Sequence, residues 1–394
     1  MANSALMHTY GRLPVAFVEG KGSWLTDTNG KTYLDALGGI AVCGLGHAHP
    51  AVTKAICDQA SRLVHTSNLY QIPGQEAAAT KLSQLSGMER IFFCNSGAES
   101  NEGAIKLARL HGHKKGIDIP HVLVMENAFH GRTLATLPAT GNRKVQAGFE
   151  PLVSGVVRST YNDLAAVTNL VERRKDIAAI LVEPIQGEGG LTPATDEFMN
   201  GLRELCDKHD LLLMLDEVQT GNGRTGYFYA YQRYDWKPDV LTTAKGLGNG
   251  FPIGAVMAQG KAADLFQPGH HGSTYGGTPL GSAVVLAVLE TLEKEQLTKR
   301  AGELGDYLVK SFSANLSDVK GVKAIRGRGL MLGIELEHPC GELVELALAD
   351  GLLINVTAGQ VVRLLPPLTF TDEDAELLIS KLSQLIKYWL ASRR

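Results

Sequence analysis

The apolar residues of this chain occur in short continuous runs that alternate, from about residue 90 to 260, with longer segments of helical periodicity. A run of four to eight apolar residues is typical of a strand that is buried on both faces of a parallel sheet. Such runs are found at 91–94, 121–125, 178–182, 211–215 and 254–258. Strands that alternate with helices in this way predict an α/β fold with a mostly parallel, doubly wound sheet.

The chain outside this region has a different pattern. A hairpin is predicted near the N-terminus, with strands at 22–25 and 31–35 around the turn DTNG. After an apolar helix at 279–292, helices and strands follow in an order typical of a smaller α+β domain. We therefore predict an N-terminal arm with part of the small domain at 1–50, a large domain at 51–285 and a C-terminal small domain at 286–394.

The main candidate chemistry follows the buried run at 211–215. Asp216 ends that strand, and Lys245 comes later among small residues and glycines, in TTAKGLGNG. Ligands of open α/β sheets bind at the carboxyl ends of the strands. Burial favours the neutral, nucleophilic form of an amine. The pair suits pyridoxal phosphate, because the amine can bond to the cofactor aldehyde while the carboxylate keeps the pyridine nitrogen protonated.

Two other interpretations of this region stay open. Asp-Glu after a strand is commonly a solvated loop start or a helix cap, and a lysine near glycines is commonly a surface residue. In addition, GNGRTG at 221–226 satisfies the GxGxxG pattern of a nicotinamide-dinucleotide site. That pattern should follow its strand immediately and open a helix, whereas residues 216–220 intervene here and an aromatic segment follows.

A possible anion site follows the strand at 91–94. Ser96 and Glu99 have the spacing of a capping box, which places Gly97 and Ala98 in the first turn of a helix. The free amides of that turn lie at the positive end of the helix dipole and can hold a phosphate. An ordinary capped helix would show the same pattern.

Three other residues are candidates for binding a flat, acidic ligand. After the strand at 121–125, Phe129 could stack on a ring and Arg132 could hold a carboxylate, although a core aromatic and a surface charge are equally compatible. Arg363 stands inside the apolar segment VVRLLPP. A buried arginine needs a partner, which would be either an internal carboxylate or one that belongs to a ligand.

Composition narrows the class of protein. The net charge of -3 over 394 residues gives no basic face for nucleic acid, and no apolar run approaches the length of a membrane span. Five cysteines without a CxxC pair favour reduced thiols in the cytoplasm, and the N-terminus lacks the features of a secretory signal. Cys43, His47 and His49 lack a fourth partner, so no metal site is predicted.

Taken together, the motifs resemble those of the class III, or ornithine-type, aminotransferases. The matching stretches span nearly the whole chain in order: GGIAVCGLGHAHP, FFCNSGAESNEGAIKLAR, FHGRT, VEPIQGEGG, LDEVQTGNGRTG, TTAKGLGNGFPIGA and GSTYGG. The resemblance implies a fold type I, pyridoxal-phosphate-dependent transferase that works as a homodimer with shared active sites.

The resemblance also implies roles for the cofactor contacts. Lys245 would bond to the cofactor, Asp216 would partner the pyridine nitrogen, and Gln219 would approach the phenolic oxygen. The backbone amides of Gly97 and Ala98 would bind the phosphate, and Phe129 would stack on the ring. Ser273 and Thr274 would come from the neighbouring subunit, with the threonine at the phosphate and the serine among the substrate contacts.

For substrates, the resemblance implies N-acetylornithine as amine donor and 2-oxoglutarate as acceptor. Arg132 is similar to the group that holds the α-carboxylate of the donor, and Arg363 to the group that holds the second carboxylate of the acceptor. Glu188 would pair with Arg363 and move aside when the dicarboxylate binds. Glu183 would lie near the ring, or serve structure alone.

Other donors stay open within the family, namely succinylornithine, N-succinyl-diaminopimelate, ornithine and 4-aminobutyrate, and a mutase would use the same lysine. Two positions depart from the usual family pattern: Thr278 stands where asparagine is common, and Cys43 occupies a variable pocket position. Cys43 therefore bears on the choice of substrate. By the same resemblance, free-ornithine enzymes usually carry an aromatic residue at Cys43 or its neighbours, so this loop weakly favours an acylated donor.

Overall fold

The structure is a computed structural model that describes residues 5–393. Its largest element is a seven-stranded sheet, which we call the large sheet. In spatial order its strands are Arg90–Cys94, Gly254–Ala258, Val240–Thr243, Leu212–Asp216, Ile177–Val182, His121–Met125 and Val156–Ser159. Gly254–Ala258 pairs antiparallel with both neighbours, and the remaining pairs are parallel. The predicted doubly wound α/β sheet is confirmed.

The strands of this sheet are apolar throughout because both of its faces are covered. In Leu212–Asp216, Leu213 and Leu215 belong to one buried cluster, whereas Leu212 and Met214 belong to another. Successive side chains of a strand point to opposite faces, so a strand between two cores shows no alternation of polar residues. The uninterrupted apolar run is the direct consequence.

Helices lie on both faces of the large sheet, and Pro50–Ala60 packs on one of them, Pro279–Lys294, which is the helix predicted at 279–292. Their bounds are Pro50–Ala60, Pro73–Ser86, Gly97–Lys114, Leu164–Arg173, Asp196–His209 and Pro279–Lys294, with short turns of helix at Thr136–Ala139 and Arg143–Gln146. The strands Val156–Ser159 and Val240–Thr243 were not predicted. Both are only four residues long, and each contains polar side chains that the apolar pattern does not select.

The small domain is built on an antiparallel sheet. Its strands in spatial order are Val322–Arg328, Met331–Leu336, Val361–Leu364 and Asn355–Thr357. The helices Leu297–Leu316, Glu342–Ala349 and Asp372–Ala391 accompany it. The last helix was not predicted, although Thr371 caps it by accepting a 3.0 Å hydrogen bond from the Asp374 amide.

The N-terminal hairpin belongs with this second group of elements. The strands Phe17–Lys21, Trp24–Asp27 and Thr32–Asp35 form a sheet with Leu352–Leu353, which pairs in parallel with Thr32–Asp35. The helix Pro279–Lys294 contributes side chains to both main cores and so connects them. The exact boundaries at 50/51 and 285/286 stay a prediction. No helix among residues 5–393 is both long and apolar enough to cross a membrane.

Candidate active site

A cavity of about 390 Å³ lies at the carboxyl ends of the strands of the large sheet. This volume is within the range of small-molecule and cofactor sites, roughly 300–1,000 Å³. The residues that line it follow the strand ends and include these predicted site residues: Gly97, Ala98, Phe129, Arg132, Glu188, Asp216, Gln219 and Lys245. The sequence therefore predicted a group of residues that the fold brings together.

Lys245 is separated from the strand Val240–Thr243 only by Ala244, and it enters the cavity from a strained backbone. Its φ of 45° is in the left-handed region, which costs a non-glycine residue roughly 1–2 kcal/mol. The Asn222 amide fixes this segment by donating to Thr243 Oγ1 and to the Ala244 carbonyl, both at 3.1 Å. Burial, together with the nearby Arg363 charge, lowers the pKa of Lys245 to about 8. The amine is thus poised to act as a nucleophile or base.

Asp216 is the best-anchored carboxylate of the cavity. Its Oδ2 accepts 2.8 Å hydrogen bonds from Asn101 Nδ2 and from His130 Nδ1, and its Oδ1 accepts a 3.0 Å bond from the Val218 amide. Asn101 is held in turn by the Thr242 hydroxyl, which donates to its Oδ1 at 2.8 Å. The network holds the carboxylate in one orientation at the cavity wall.

Sequence reasoning did not single out Asn101 or His130. The available signal for Asn101 was its position four residues after Gly97, since residues i and i+4 share one helix face. For His130 the signal was its place beside Phe129, after a buried strand end. Both residues are about 1% exposed, so their contacts with Asp216 are fully inside the protein.

The neighbour of Asp216 has a separate, structural task. Glu217 is completely buried and accepts hydrogen bonds from the Thr220 hydroxyl and from the amides of Ala230 and Tyr231. Burial raises its pKa to about 7. The interpretation of Asp-Glu as a solvated loop start is wrong, because neither carboxylate is exposed.

The helix Gly97–Lys114 presents its first turn to the cavity. Ser96 caps it by accepting a 3.2 Å bond from the Glu99 amide. The reciprocal bond of the predicted capping box is shifted by one residue, since Glu99 accepts from the Asn95 amide at 2.7 Å. A Cβ at Gly97 would come within 2.7 Å of Val218. A glycine is therefore required where the backbone amides face the cavity.

Phe129 and Arg132 lie side by side on another wall. The Arg132 guanidinium is 5.8 Å from the centre of the Phe129 ring, and Arg132 is exposed. The Phe129 amide donates to Glu183 Oε1 at 2.9 Å. Burial raises the pKa of Glu183 to about 7. Glu183 thus lines the cavity and also anchors the backbone that presents Phe129.

Arg363 stands behind Glu188 rather than in the cavity wall. The two side chains form a 2.6 Å ion pair, in which Glu188 is 40% exposed and Arg363 only 1%. Glu188 lines the cavity, and it separates Arg363 from it. An anionic ligand can reach the guanidinium only if the Glu188 side chain moves.

Ser273 and Thr274 do not line this cavity. Ser273 lies in a neighbouring depression, where its hydroxyl accepts a 3.1 Å bond from Asn95 Nδ2, and Thr274 is exposed. Within one chain, these two residues are therefore separate from the other predicted contacts.

The dinucleotide interpretation is wrong. Residues 221–226 form a series of turns and do not open a helix, and the next helical element is the single turn Ala230–Arg233. Arg224 from this motif is buried and donates to the carbonyls of Leu330 and Pro366, so it joins the two domains.

His47 belongs to the group of residues that was weighed as a metal site, and its ring bonds to Asp35 at 2.8 Å.

Comparison with known proteins agrees with this geometry. The profile of the family described as "Aminotransferase class-III" matches residues 6–386. The acetylornithine aminotransferase of Nitrosomonas europaea is 53% identical, with 99% of each chain covered. The crystal structure of N-acetylornithine aminotransferase from Stenotrophomonas maltophilia is 35% identical with a TM-score of 0.85 and covers 98% of each chain. The ornithine aminotransferase of Toxoplasma gondii is 33% identical with a TM-score of 0.95 and covers 99% of this chain and 94% of its own.

The fold and the site define an enzyme of the fold type I class that depends on pyridoxal phosphate. Within that class, the chain belongs to the class III aminotransferases.

The residues present fit this cofactor. The cavity holds a lysine amine with a lowered pKa, an anchored carboxylate and the free amides of a helix start. Two buried polar atoms near it, His130 Nε2 and Gln219 Oε1, have no partner within residues 5–393. Buried polar groups are rarely left unsatisfied. A polar ligand in the cavity accounts for both the free amides and the unpaired atoms.

Proposed function

We propose that this enzyme moves the δ-amino group of N2-acetylornithine to 2-oxoglutarate, which gives N-acetylglutamate 5-semialdehyde and glutamate. The choice of donor rests on one observation. The relative named acetylornithine aminotransferase is 53% identical to this chain over 99% of each. The reaction would serve arginine biosynthesis. The five cysteines are free thiols, which supports a cytoplasmic location.

The residues that line the cavity support the proposed cofactor contacts. Lys245 would hold pyridoxal phosphate covalently, the amides of Gly97 and Ala98 would hold its phosphate, and Phe129 would lie on its ring. When bound, the cofactor supplies an electron-accepting ring that acidifies the substrate carbon next to the nitrogen. Asp216 would keep the pyridine nitrogen protonated, and Gln219 would face the phenolic oxygen.

The chain's own residues then perform the proton transfer. Lys245 would act as the general base that takes the proton from Cδ of the donor, and the same amine would return it on the same face. A base is most efficient when its pKa lies near the working pH, and the lowered pKa of about 8 meets that condition. Arg132, at the exposed edge of the cavity, would bind the α-carboxylate of the donor.

The acceptor half of the reaction would use Arg363. 2-Oxoglutarate carries a second carboxylate, which the guanidinium would bind in place of Glu188. While the donor is bound, the ion pair between Glu188 and Arg363 stays closed and hides the positive charge. One cavity could thus serve a donor and an acceptor of different charge.

We also propose a homodimer in which Ser273 and Thr274 complete the partner's site. These residues do not line the cavity of their own chain. Asn68 donates to the Ser273 carbonyl at 3.0 Å, and its neighbours Leu69 and Tyr70 are exposed, as is Tyr275. Clusters of exposed large apolar side chains mark interaction surfaces. Sedimentation of the holoenzyme should show two 42.3 kDa chains. An active monomer would contradict this arrangement.

The donor is tested with a panel in which 2-oxoglutarate is the common acceptor. We expect the highest kcat/KM for N-acetylornithine, followed by N-succinylornithine, with lower values for ornithine, N-succinyl-diaminopimelate and 4-aminobutyrate. The Toxoplasma ornithine aminotransferase has the same fold at a TM-score of 0.95, so ornithine is the informative competitor. A higher kcat/KM for any other donor would overturn the assignment.

A further inference from the structure

A short edge strand, Asn355–Thr357, contacts both members of the ion pair that closes the cavity. Asn355 Oδ1 accepts a 2.8 Å hydrogen bond from Arg363 Nη2. The Thr357 hydroxyl donates to the carbonyl of Glu188 at 2.7 Å. Residues two apart on a strand point to the same face, so one face of this strand supports both partners.

Arg363 has three partners of different kinds. Its Nη1 donates to Glu188 Oε1 at 2.6 Å and to the Gly187 carbonyl at 3.2 Å, and its Nη2 donates to Asn355. Asn355 is directly opposite Arg363 in the antiparallel ladder, so the backbone fixes this last contact. If the Glu188 side chain leaves, Asn355 and the Gly187 carbonyl still hold the guanidinium.

The backbone around Glu188 is fixed on both sides. The Gly187 amide donates to Glu183 Oε2 at 3.2 Å. Further along, Arg326 donates to the Gly190 carbonyl at 2.5 Å and to the Leu191 carbonyl at 3.1 Å. Together with the Thr357 contact, these bonds leave the half-exposed Glu188 side chain as the part that can move.

The neutral side chain of Asn355 is suited to supporting Arg363. Its amide orients the guanidinium but is neutral, so the positive charge becomes available once Glu188 has moved. A carboxylate at the same position would neutralise Arg363 permanently. Arg363 Nε is buried and has no partner among residues 5–393, which leaves further donor capacity for an incoming carboxylate.

We propose that Asn355 is a positioning residue that keeps Arg363 oriented for the second carboxylate of a dicarboxylic 2-oxo acid, while rotation of the Glu188 side chain alone opens the site. The inference rests on the proposed use of 2-oxoglutarate as the acceptor. It predicts that Asn355 affects the acceptor half of the reaction and not the donor half.

The test compares Asn355→Asp and Asn355→Leu with the native enzyme in separate half-reactions. Absorbance changes of the holoenzyme give kcat/KM for the donor, and the amino form of the enzyme gives kcat/KM for 2-oxoglutarate and for pyruvate, which lacks the second carboxylate. Asn315→Asp is the matched control, since it adds the same charge on an exposed part of a small-domain helix.

We expect kcat/KM for 2-oxoglutarate to fall by about 10- to 100-fold in Asn355→Asp and by about tenfold in Asn355→Leu. Losses of this size correspond to the loss of one hydrogen bond to a charged group. The values for pyruvate and for the donor should change less than about twofold, as should every value of Asn315→Asp. Equal losses with pyruvate and 2-oxoglutarate, or no loss in either variant, would overturn the proposal. Asn355→Ser decides the question if Asn355→Asp does not fold.

The outcome is independent of the donor assignment. The amino form can be prepared by adding pyridoxamine phosphate to the apoenzyme, so the acceptor half-reaction can be measured whichever amine is the true donor. Failure of N-acetylornithine in the donor panel would therefore leave the role of Asn355 open to a direct measurement.

Discussion

Lys245 and Arg363 are both cationic side chains next to the same cavity, but their surroundings differ. Arg363 bonds to Glu188, Gly187 and Asn355, and the protein surrounds it with acceptors. Lys245 has no hydrogen bond or ion pair from its amine within residues 5–393, and the carboxylates that influence it act from a distance. Both Nη atoms of the Arg363 guanidinium are paired by the fold, whereas the Lys245 amine is left without a partner among these residues.

The difference explains how one site contains both a reactive group and a binding group. Without a partner, the charged form of the Lys245 amine is disfavoured by burial, and its pKa falls to about 8. With three partners, the Arg363 guanidinium is held as a charged fork that suits a carboxylate. The number of hydrogen-bond acceptors around each cation thus decides whether it reacts or binds a ligand, and the type of residue alone does not.

The largest effect should come from removing the unpaired cation. In Lys245→Ala we expect turnover to fall by at least about 10²- to 10⁴-fold, because a general base is lost, and the absorbance of covalently held cofactor to disappear. Lys261→Ala is the control, since that amine bonds to Asp210 at 3.0 Å on the surface. If Lys245→Ala kept both its turnover and its cofactor absorbance, Lys245 would not be the reactive cation of the site.

A smaller loss should follow when the carboxylate loses its charge but not its shape. Asp216→Asn should lower kcat by roughly 10²- to 10³-fold, as expected for removal of a preorganised electrostatic contact, while the cofactor stays bonded to Lys245. Visible absorbance and turnover would be measured on the same sample.

The neighbouring residue provides the matched control for that change. Glu217→Gln disturbs a fully buried carboxylate that accepts three hydrogen bonds but does not line the cavity. It should lower the free energy of unfolding by about 1–3 kcal/mol and leave kcat of the folded enzyme nearly unchanged. A similar loss of kcat in both variants would show that the Asp216 effect is structural.

The sequence was sufficient for residues whose signal is local. Asp216 ends one buried strand and Lys245 comes soon after another, and their neighbours are mostly apolar or small, so position and composition pointed to both. Asn101 and His130 were missed because their role lies in contacts with Asp216, from which Asn101 is 115 residues distant in the chain. A hydrogen-bond partner on another element is set by packing, and the periodicity of one segment carries no information about it.

The same limit applies to the second cation. The apolar segment around Arg363 predicted a buried arginine that needs an acid, and the resemblance supplied Glu188. The third partner, Asn355, follows from the ladder register of two short strands, which the sequence does not define. Residues with a local signal were thus predictable, whereas the supporting residues needed the fold.

A dependence on pH, of about tenfold per pH unit, tests the unpaired state of Lys245 directly. Only the neutral amine reacts with an aldehyde, so the rate at which the apoenzyme captures pyridoxal phosphate should rise with pH and level off above about 8. Below pH 8 the capture rate should fall by about tenfold per pH unit, because the neutral fraction of the amine falls by that factor. Stopped-flow absorbance gives the rate, and pyridoxine phosphate, which lacks the aldehyde, reports any effect of pH on non-covalent binding. A midpoint near the ordinary lysine value of about 10.4 would show that burial does not shift this amine.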